Sequence, residues 1–308
     1  MTKDRFHRLG RVGFIAAVVV ALSFGAGCGG DDEPSANEGK SVDEIVGLEG
    51  DEIVERQKRA ENLIAPCMQE QGFRYTPVDP VVQQAALTGT QKLTEEEFNE
   101  QFGYGITTLF EQRLQASTLG PNQEYYNSLT DAEKAAFDLA LYGTDKTATF
   151  AVALDTGEFD RLGGCLKEAT DEVFGGAELI QDVTVKLDEL DDRILADARM
   201  IVVIENWSDC MAEAGYDLGE PEAVDVYLEN KLEGIVGPIE EVAAPAPGAQ
   251  PEYDAALRQL QQEEVELVGK DIECEEQHIT EVEEEVRVEY EREFLEQNAA
   301  LVERVPKP

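Results

Sequence analysis

Positive charge is scarce in this chain. Its 308 residues carry 25 Lys and Arg against 66 Asp and Glu, a formal balance of −41. A phosphate-binding surface needs clustered Lys and Arg, so nucleic acid is a poor partner, and anionic lipid headgroups repel the chain. Histidine is scarcer still, with only His7 and His278. A His₃ zinc site cannot be built from them. Ser-His-Asp or Cys-His catalysis would rest on His278 alone, since His7 lies in a removable leader, and no G-x-S-x-G turn accompanies it. Trp207 is the single tryptophan, which argues against a sugar-stacking cleft. Strand-forming runs are equally rare. Only residues 147–153 (KTATFAV) have that composition, and one isolated strand cannot carry a sheet. An apolar fraction of 42% still suffices for a core. So much like charge resists compaction, and a compensating brace is expected.

The first eleven residues are locally basic. Lys3, Arg5, Arg8 and Arg11 precede an apolar run at residues 12–24 (VGFIAAVVVALSF). That run is short for a bilayer span and right for a signal-peptide core. It ends at Gly25-Ala26-Gly27-Cys28, followed by the polar tract GGDDEPSANEGKS. Small residues before a cysteine, then a polar tether, resemble a bacterial lipobox, with Gly25 where Leu is usual. The resemblance implies cleavage before Cys28 and a lipid on its sulfur. Ordinary secretion and an uncleaved anchor are the alternatives, and all three export the chain. Removing residues 1–27 takes away four basic residues and one acid, so 25 becomes 21, 66 becomes 65 and −41 becomes −44. The lipid, rather than protein charge, would hold the chain at a membrane.

Acylation of Cys28 leaves Cys67, Cys165, Cys210 and Cys274. An even number outside the cytoplasm reads as two disulfides. Residues 64–73 and 207–216 are alike. Both contain C-M-x-E-x-G-aromatic, 143 residues apart from Cys67 to Cys210. Each has a large apolar residue, Ile64 or Trp207, three before the cysteine. A helical pattern that stops at Gly predicts a Schellman cap. Gly72 and Gly215 take the left-handed C′ position, and Phe73 and Tyr216 at C″ contact Met68 and Met211 at C3. Each cysteine then anchors a helix end. Duplication favours one bridge per half, Cys67–Cys165 and Cys210–Cys274, with Cys67–Cys210 as the main rival.

These features come together as W-S-x-C-M-x-E-x-G-Y, a Pro-containing insertion, and a cysteine-bearing helix running into an acidic C-terminal helix. An earlier C-M-x-x-x-G-F-x-Y is followed by G-G-C. The combination resembles a set of uncharacterised lipoproteins of high-GC Gram-positive bacteria. The resemblance covers most of residues 50–305. It implies an address and an architecture, and no activity.

The expected fold is all-α. It comprises a signal peptide (1–27), a lipidated tether (28–50), and two related helical subdomains (51–177 and 178–308), each braced by one disulfide, with a long C-terminal helix. Apolar spacing predicts a helix over 51–71, kinked or restarted at Pro66. Residues 74–92 read as irregular, and 103–121 as helix or loop. Capping boxes at Thr94 and Thr130 open two helices, the second closing at Gly143. Further helices are predicted over 162–174, 178–190, 193–214 and 222–232. Residues 242–251 (VAAPAPGAQP) read as a polyproline loop. Residues 252–305 read as one long helix or two in line, weakest at Gly269.

No catalytic residue, metal or cofactor is expected. Glu275 and His278 have E-x-x-H spacing, but a di-iron bundle needs two such motifs. The acidic runs 188–192 and 281–285 read as solvated faces, and Asp155 to Asp160 is a weak cation loop. The function read from these residues is binding rather than catalysis. The protein would be lipid-anchored on the outer face of the bacterial membrane, with an envelope protein as partner. The first alternative is a ligand-binding module with a pocket between the halves, bounded by Tyr125, Tyr126, Phe150 or Trp207. The second is a carboxylate-dependent hydrolase.

Overall fold

The computed structural model describes residues 40–89, 93–115, 120–239, 242 and 253–307. Among them every regular element is a helix and no strand occurs. The leader, Cys28 and most of the Pro-rich loop lie outside the described residues.

The folded body begins earlier than the sequence suggests. Helix α1 (Val42–Val46) buries both its valines, so residues 41–48 belong to the core rather than to a tether ending at 50. Ser41 and Glu44 form the capping box that opens it, Glu44 N–H donating to Ser41 Oγ at 3.1 Å. Helix α2 (Gly50–Glu70) runs unbroken through Pro66. The ring removes one backbone donor, and both Pro66 and Asn62, four residues before it, are exposed. The freed carbonyl of Asn62 therefore faces water, and no break is forced. Residues 80–88 are helix α3 (Pro80–Thr88), not irregular chain. Asp79 accepts from Val81 N–H at 2.9 Å and Pro80 occupies the first turn, where its missing donor costs nothing.

Helices α4 (Glu95–Phe102) and α7 (Asp131–Tyr142) start at the capping boxes of Thr94 and Thr130, and α7 ends at Gly143. Between them lie α5 (Phe110–Gln115) and α6 (Gln123–Ser128). The strand-like stretch is instead helix α8 (Phe150–Thr156). Thr149 acts as its N-cap through Val152 N–H, so a β-branched residue serves as a cap rather than a strand position. Helix α9 (Gly164–Phe174) carries Cys165 and stops at Gly175.

Helix α10 (Ala177–Leu195) takes in Arg193, and α11 (Ala198–Glu213) starts afresh at Asp197, which accepts from Arg199 N–H at 2.8 Å. Helix α12 (Ala223–Val236) comes next. The C-terminal stretch is two helices, α13 (Asp254–His278) and α14 (Thr280–Val302). The interruption falls at Ile279, and Gly269 stays inside α13. The Thr280 hydroxyl donates to the Glu275 carbonyl at 3.1 Å, sharing the acceptor that Ile279 N–H also uses.

Two disulfides join helix pairs that pack on each other. Cys67–Cys165 links α2 to α9 with 5.7 Å between Cα atoms, and Cys210–Cys274 links α11 to α13 at 5.9 Å. The Cys67–Cys210 rival is not formed. Both helix ends are Schellman caps. Gly72 and Gly215 have φ of 88° and 99°. Phe73 N–H donates to the Met68 carbonyl and Tyr216 N–H to that of Met211, each at 2.9 Å. Met68, Met211 and Trp207 are fully buried.

The halves are related by motif but share one core, continuous from Val42 to Val305. Helix α4 packs on α13, α9 on α10 and α1 on α14. Two buried carboxylates on α13 stitch the halves together. Glu264 accepts from the N–H groups of Ile106, Thr107 and Thr108 and from the Thr107 hydroxyl at 2.6–2.9 Å. Asp271 accepts from the Tyr104 hydroxyl at 2.6 Å and from Trp207 Nε1–H at 2.9 Å. Full hydrogen bonding is what makes such burial tolerable.

Candidate functional site

A cleft of about 490 Å³ opens where α1 and the turn after it meet α10, α11, the start of α12 and the α13–α14 break. Each element contributes for a local reason. The Ser41 cap and the buried valines of α1 pin the N-terminal wall. The break at Ile279 turns that side chain into the floor, with Glu275 and Glu283 on either side. Leu187, Ile194 and Met200, all buried, complete the base with Ile204 and Leu48.

The rim is acidic. Among the described residues, eight carboxylates and the guanidinium of Arg287 line the cleft. Arg287 donates to Glu283 at 2.8 Å and to Asp191 at 3.3 Å, and lies 3.9 Å from Glu291. Burial opposes the Arg287 charge, but the carboxylates of Glu283 and Glu291 outweigh it and hold its pKa above the ordinary value. Burial raises the pKa of Glu291, against the pull of Arg287 and of the Val42 N–H that donates to it. The first turn of α1 thus rests on α14 just below the cleft.

The internal repeat differs in side chains at the cleft, although the second copy also ties the chain after its cap back to its helix, through the Ser208 hydroxyl donating to the Leu218 carbonyl at 2.6 Å. The offset that carries Cys67 onto Cys210 also carries Glu61 onto Ile204, Tyr75 onto Leu218 and Val78 onto Pro221. In the first half, Glu61 accepts from the Tyr75 hydroxyl at 3.1 Å and from Val78 N–H at 2.8 Å. Those bonds tie the chain leaving the cap back onto α2. In the second half the acceptor is an isoleucine, the hydroxyl is gone and the amide donor is a proline. Ile204 and Pro221 line the cleft instead.

The residues expected to bound a pocket lie elsewhere. Trp207 is buried on Asp271, Tyr125 and Tyr126 pack edge-on against Phe137, and Phe150 stacks on Phe174. The two acidic runs are not simple solvated faces, because Asp188, Asp191 and Glu283 line the cleft. Glu275 joins them, while His278 does not. In the expected cation loop Glu158 pairs with Arg161 and Phe159 enters the core. Among the described residues no three His, Cys, Asp or Glu side chains are placed to hold a metal ion. Nor is any described helix long and apolar enough to cross a membrane. No protein-family model, no curated protein and no solved structure matches this chain.

Proposed function

We propose that this is a lipid-anchored extracytoplasmic binding protein whose ligand sits in the cleft between α1 and the second half. The cleft carries this reading: its volume falls within the roughly 300–1,000 Å³ of small-molecule sites, and it joins an apolar floor to a polar rim. Two disulfides suit an oxidising compartment. The signal-like leader and Cys28 supply the address. Cys28 lies thirteen residues before Ser41, so a lipid there would keep the cleft within about 45 Å of the bilayer. Catalysis forms no part of the proposal.

Palmitate labelling and cell fractionation test the anchor. The wild-type chain is expected in the membrane fraction and labelled, and Cys28→Ala unlabelled and released. Label persisting in Cys28→Ala would defeat it. Native mass spectrometry of protein purified from its own envelope tests the cleft. A retained small molecule is expected, and Ile204→Trp is expected to lose it. A second reading, an envelope protein partner, is favoured by Ile201 and Val202 on α11, adjacent apolar residues that are 48% and 55% exposed.

A further inference from the structure

We infer that the cleft takes a single aliphatic chain, the acyl chain of a lipid drawn from the membrane beside it. This rests on the anchor at Cys28 and on the cleft being the ligand site, and it names the class of ligand. Shape is the first observation. Helix α10 lines the cleft with Thr184, Leu187, Asp188, Asp191, Ile194 and Leu195. Steps of three and four put these residues in one row along a single face. The row is about 16 Å long, whereas a round cavity of about 490 Å³ would span only about 10 Å. Glu275, Ile279, Glu283 and Arg287, spaced by four, make a second row through the helix break, and α10 packs on α14. The cleft is therefore a furrow. An extended ligand fills it, and a compact one leaves its ends empty.

The second observation is the chemistry of the floor. Leu48, Leu187, Ile194, Ile204 and Ile279 are aliphatic, and Met200 adds a thioether. Among the described residues no aromatic side chain lines the cleft, so a planar ring finds nothing to stack on. An alkyl chain needs no such partner, because it gains through the apolar area it buries. The third observation names the source. Ser41 lines the cleft, and the described chain begins one residue before it, at Lys40. Cys28 lies thirteen residues before Ser41, so a lipid there keeps the furrow within about 45 Å of a bilayer. Acyl chains are the long apolar bodies concentrated at that distance.

The test uses uncharged probes, so that the acidity of the chain does not enter. 1-Hexanol, 1-octanol, 1-decanol and 1-adamantanol are titrated calorimetrically into the disulfide-intact mature protein. Affinity should rise about fourfold per methylene from hexanol to decanol. Adamantanol has the ten carbons of decanol in a compact cage and should bind no better than hexanol. Thr184 and Leu195 are half-buried and stand at the two ends of the α10 row. Thr184→Trp and Leu195→Trp should each shorten the furrow, weakening decanol by about tenfold while leaving hexanol within about twofold. Phosphatidylcholine vesicles carrying a trace of fluorescent lysophosphatidylcholine test the source. The protein should draw the single-chain lipid out of them, and decanol should compete. Adamantanol binding as tightly as decanol, or equal losses of hexanol and decanol in both variants, would overturn the chain and leave the cleft as the ligand site. Label that stays wholly in the vesicles would overturn the membrane lipid as occupant. Binding by none of the alcohols would overturn the cleft as a ligand site as well.

Discussion

The two ends marked by C-M-x-E-x-G are the same backbone device put to different use. Both are Schellman caps one turn beyond a disulfide, and both bury their methionine. In the first half the chain after the cap is sealed onto its helix by Glu61, Tyr75 and the Val78 amide. In the second, Ile204, Leu218 and Pro221 occupy those places, the chain is held by the single bond from the Ser208 hydroxyl to the Leu218 carbonyl, and Ile204 and Pro221 line a cleft. The arginines of the repeat diverge too. Arg56 is buried and donates to the carbonyls of Val173 and Pro306, while its counterpart Arg199 is exposed and pairs with Asp197 and Glu289. A repeated scaffold can thus hold a closed, stabilising copy and an open copy with a concave surface. The difference resides in a few side chains, not in the helix ends.

Removing the bridges should have the largest effect. Cys67→Ala with Cys165→Ala opens a closed loop of 98 residues, and Cys210→Ala with Cys274→Ala one of 64. Loop-closure entropy gives about 4–5 kcal/mol for each, less than about 0.5 kcal/mol apart. Urea unfolding of the two double variants checks this. A much larger loss at the second bridge would mean that it also holds Trp207 against Asp271, and the copies would then differ in the core as well as at the cleft.

Asp271→Ala should come next. It strands Trp207 Nε1–H in a buried site and removes an acceptor of the half-buried Tyr104 hydroxyl, at about 3–4 kcal/mol. The first half has Ile64 at the position of Trp207 and offers no such donor. Ile64→Val, a loss of one methylene there, should cost only about 1 kcal/mol. Equal losses in thermal melts would show that the polar contact adds nothing to the second copy.

The helix ends and bridges were legible because glycine, cysteine and capping boxes act locally. Helix α3 was hidden because Pro77 and Pro80 looked like breakers, although Asp79-Pro80 is a good helix start. The stitching acids of α13 left a fainter trace. Leu257, Leu260, Glu264, Leu267, Val268, Asp271 and Cys274 form one buried stripe at steps of three and four, so two acids sit where the apolar period demands leucine. Among so many acids that signal does not stand out. The cleft was illegible for a different reason. Its walls come from segments as far apart as Ser41 and Arg287, and no window of sequence sees them together.

Smaller effects compare the caps directly. A Cβ at Gly72 or Gly215 would meet no atom within 4 Å, so alanine at either costs only the left-handed backbone, about 1 kcal/mol. The two variants should match within error in urea unfolding. A clear inequality would show that the caps themselves have diverged, and not only the chain leaving them.

The smallest effect concerns the seal itself and is read as the sign of a slope. Burial raises the Glu61 carboxyl above its ordinary value of 4.5, against the hydrogen bonds from Val78 N–H and Tyr75 that favour the charged form. The native state therefore keeps this proton at pH values where the unfolded chain has released it. The stability it contributes is complete below pH 4.5 and is lost as pH rises through the folded value. Glu61→Gln removes that titration and retains one acceptor. Its stability relative to wild type should thus rise with pH across that window. Ile204 occupies the same place in the open copy and does not titrate, so Ile204→Gln should show no such trend. A matching slope in both variants would mean that the pH dependence comes from the charge of the whole chain, and that Glu61 closes the first copy by geometry alone.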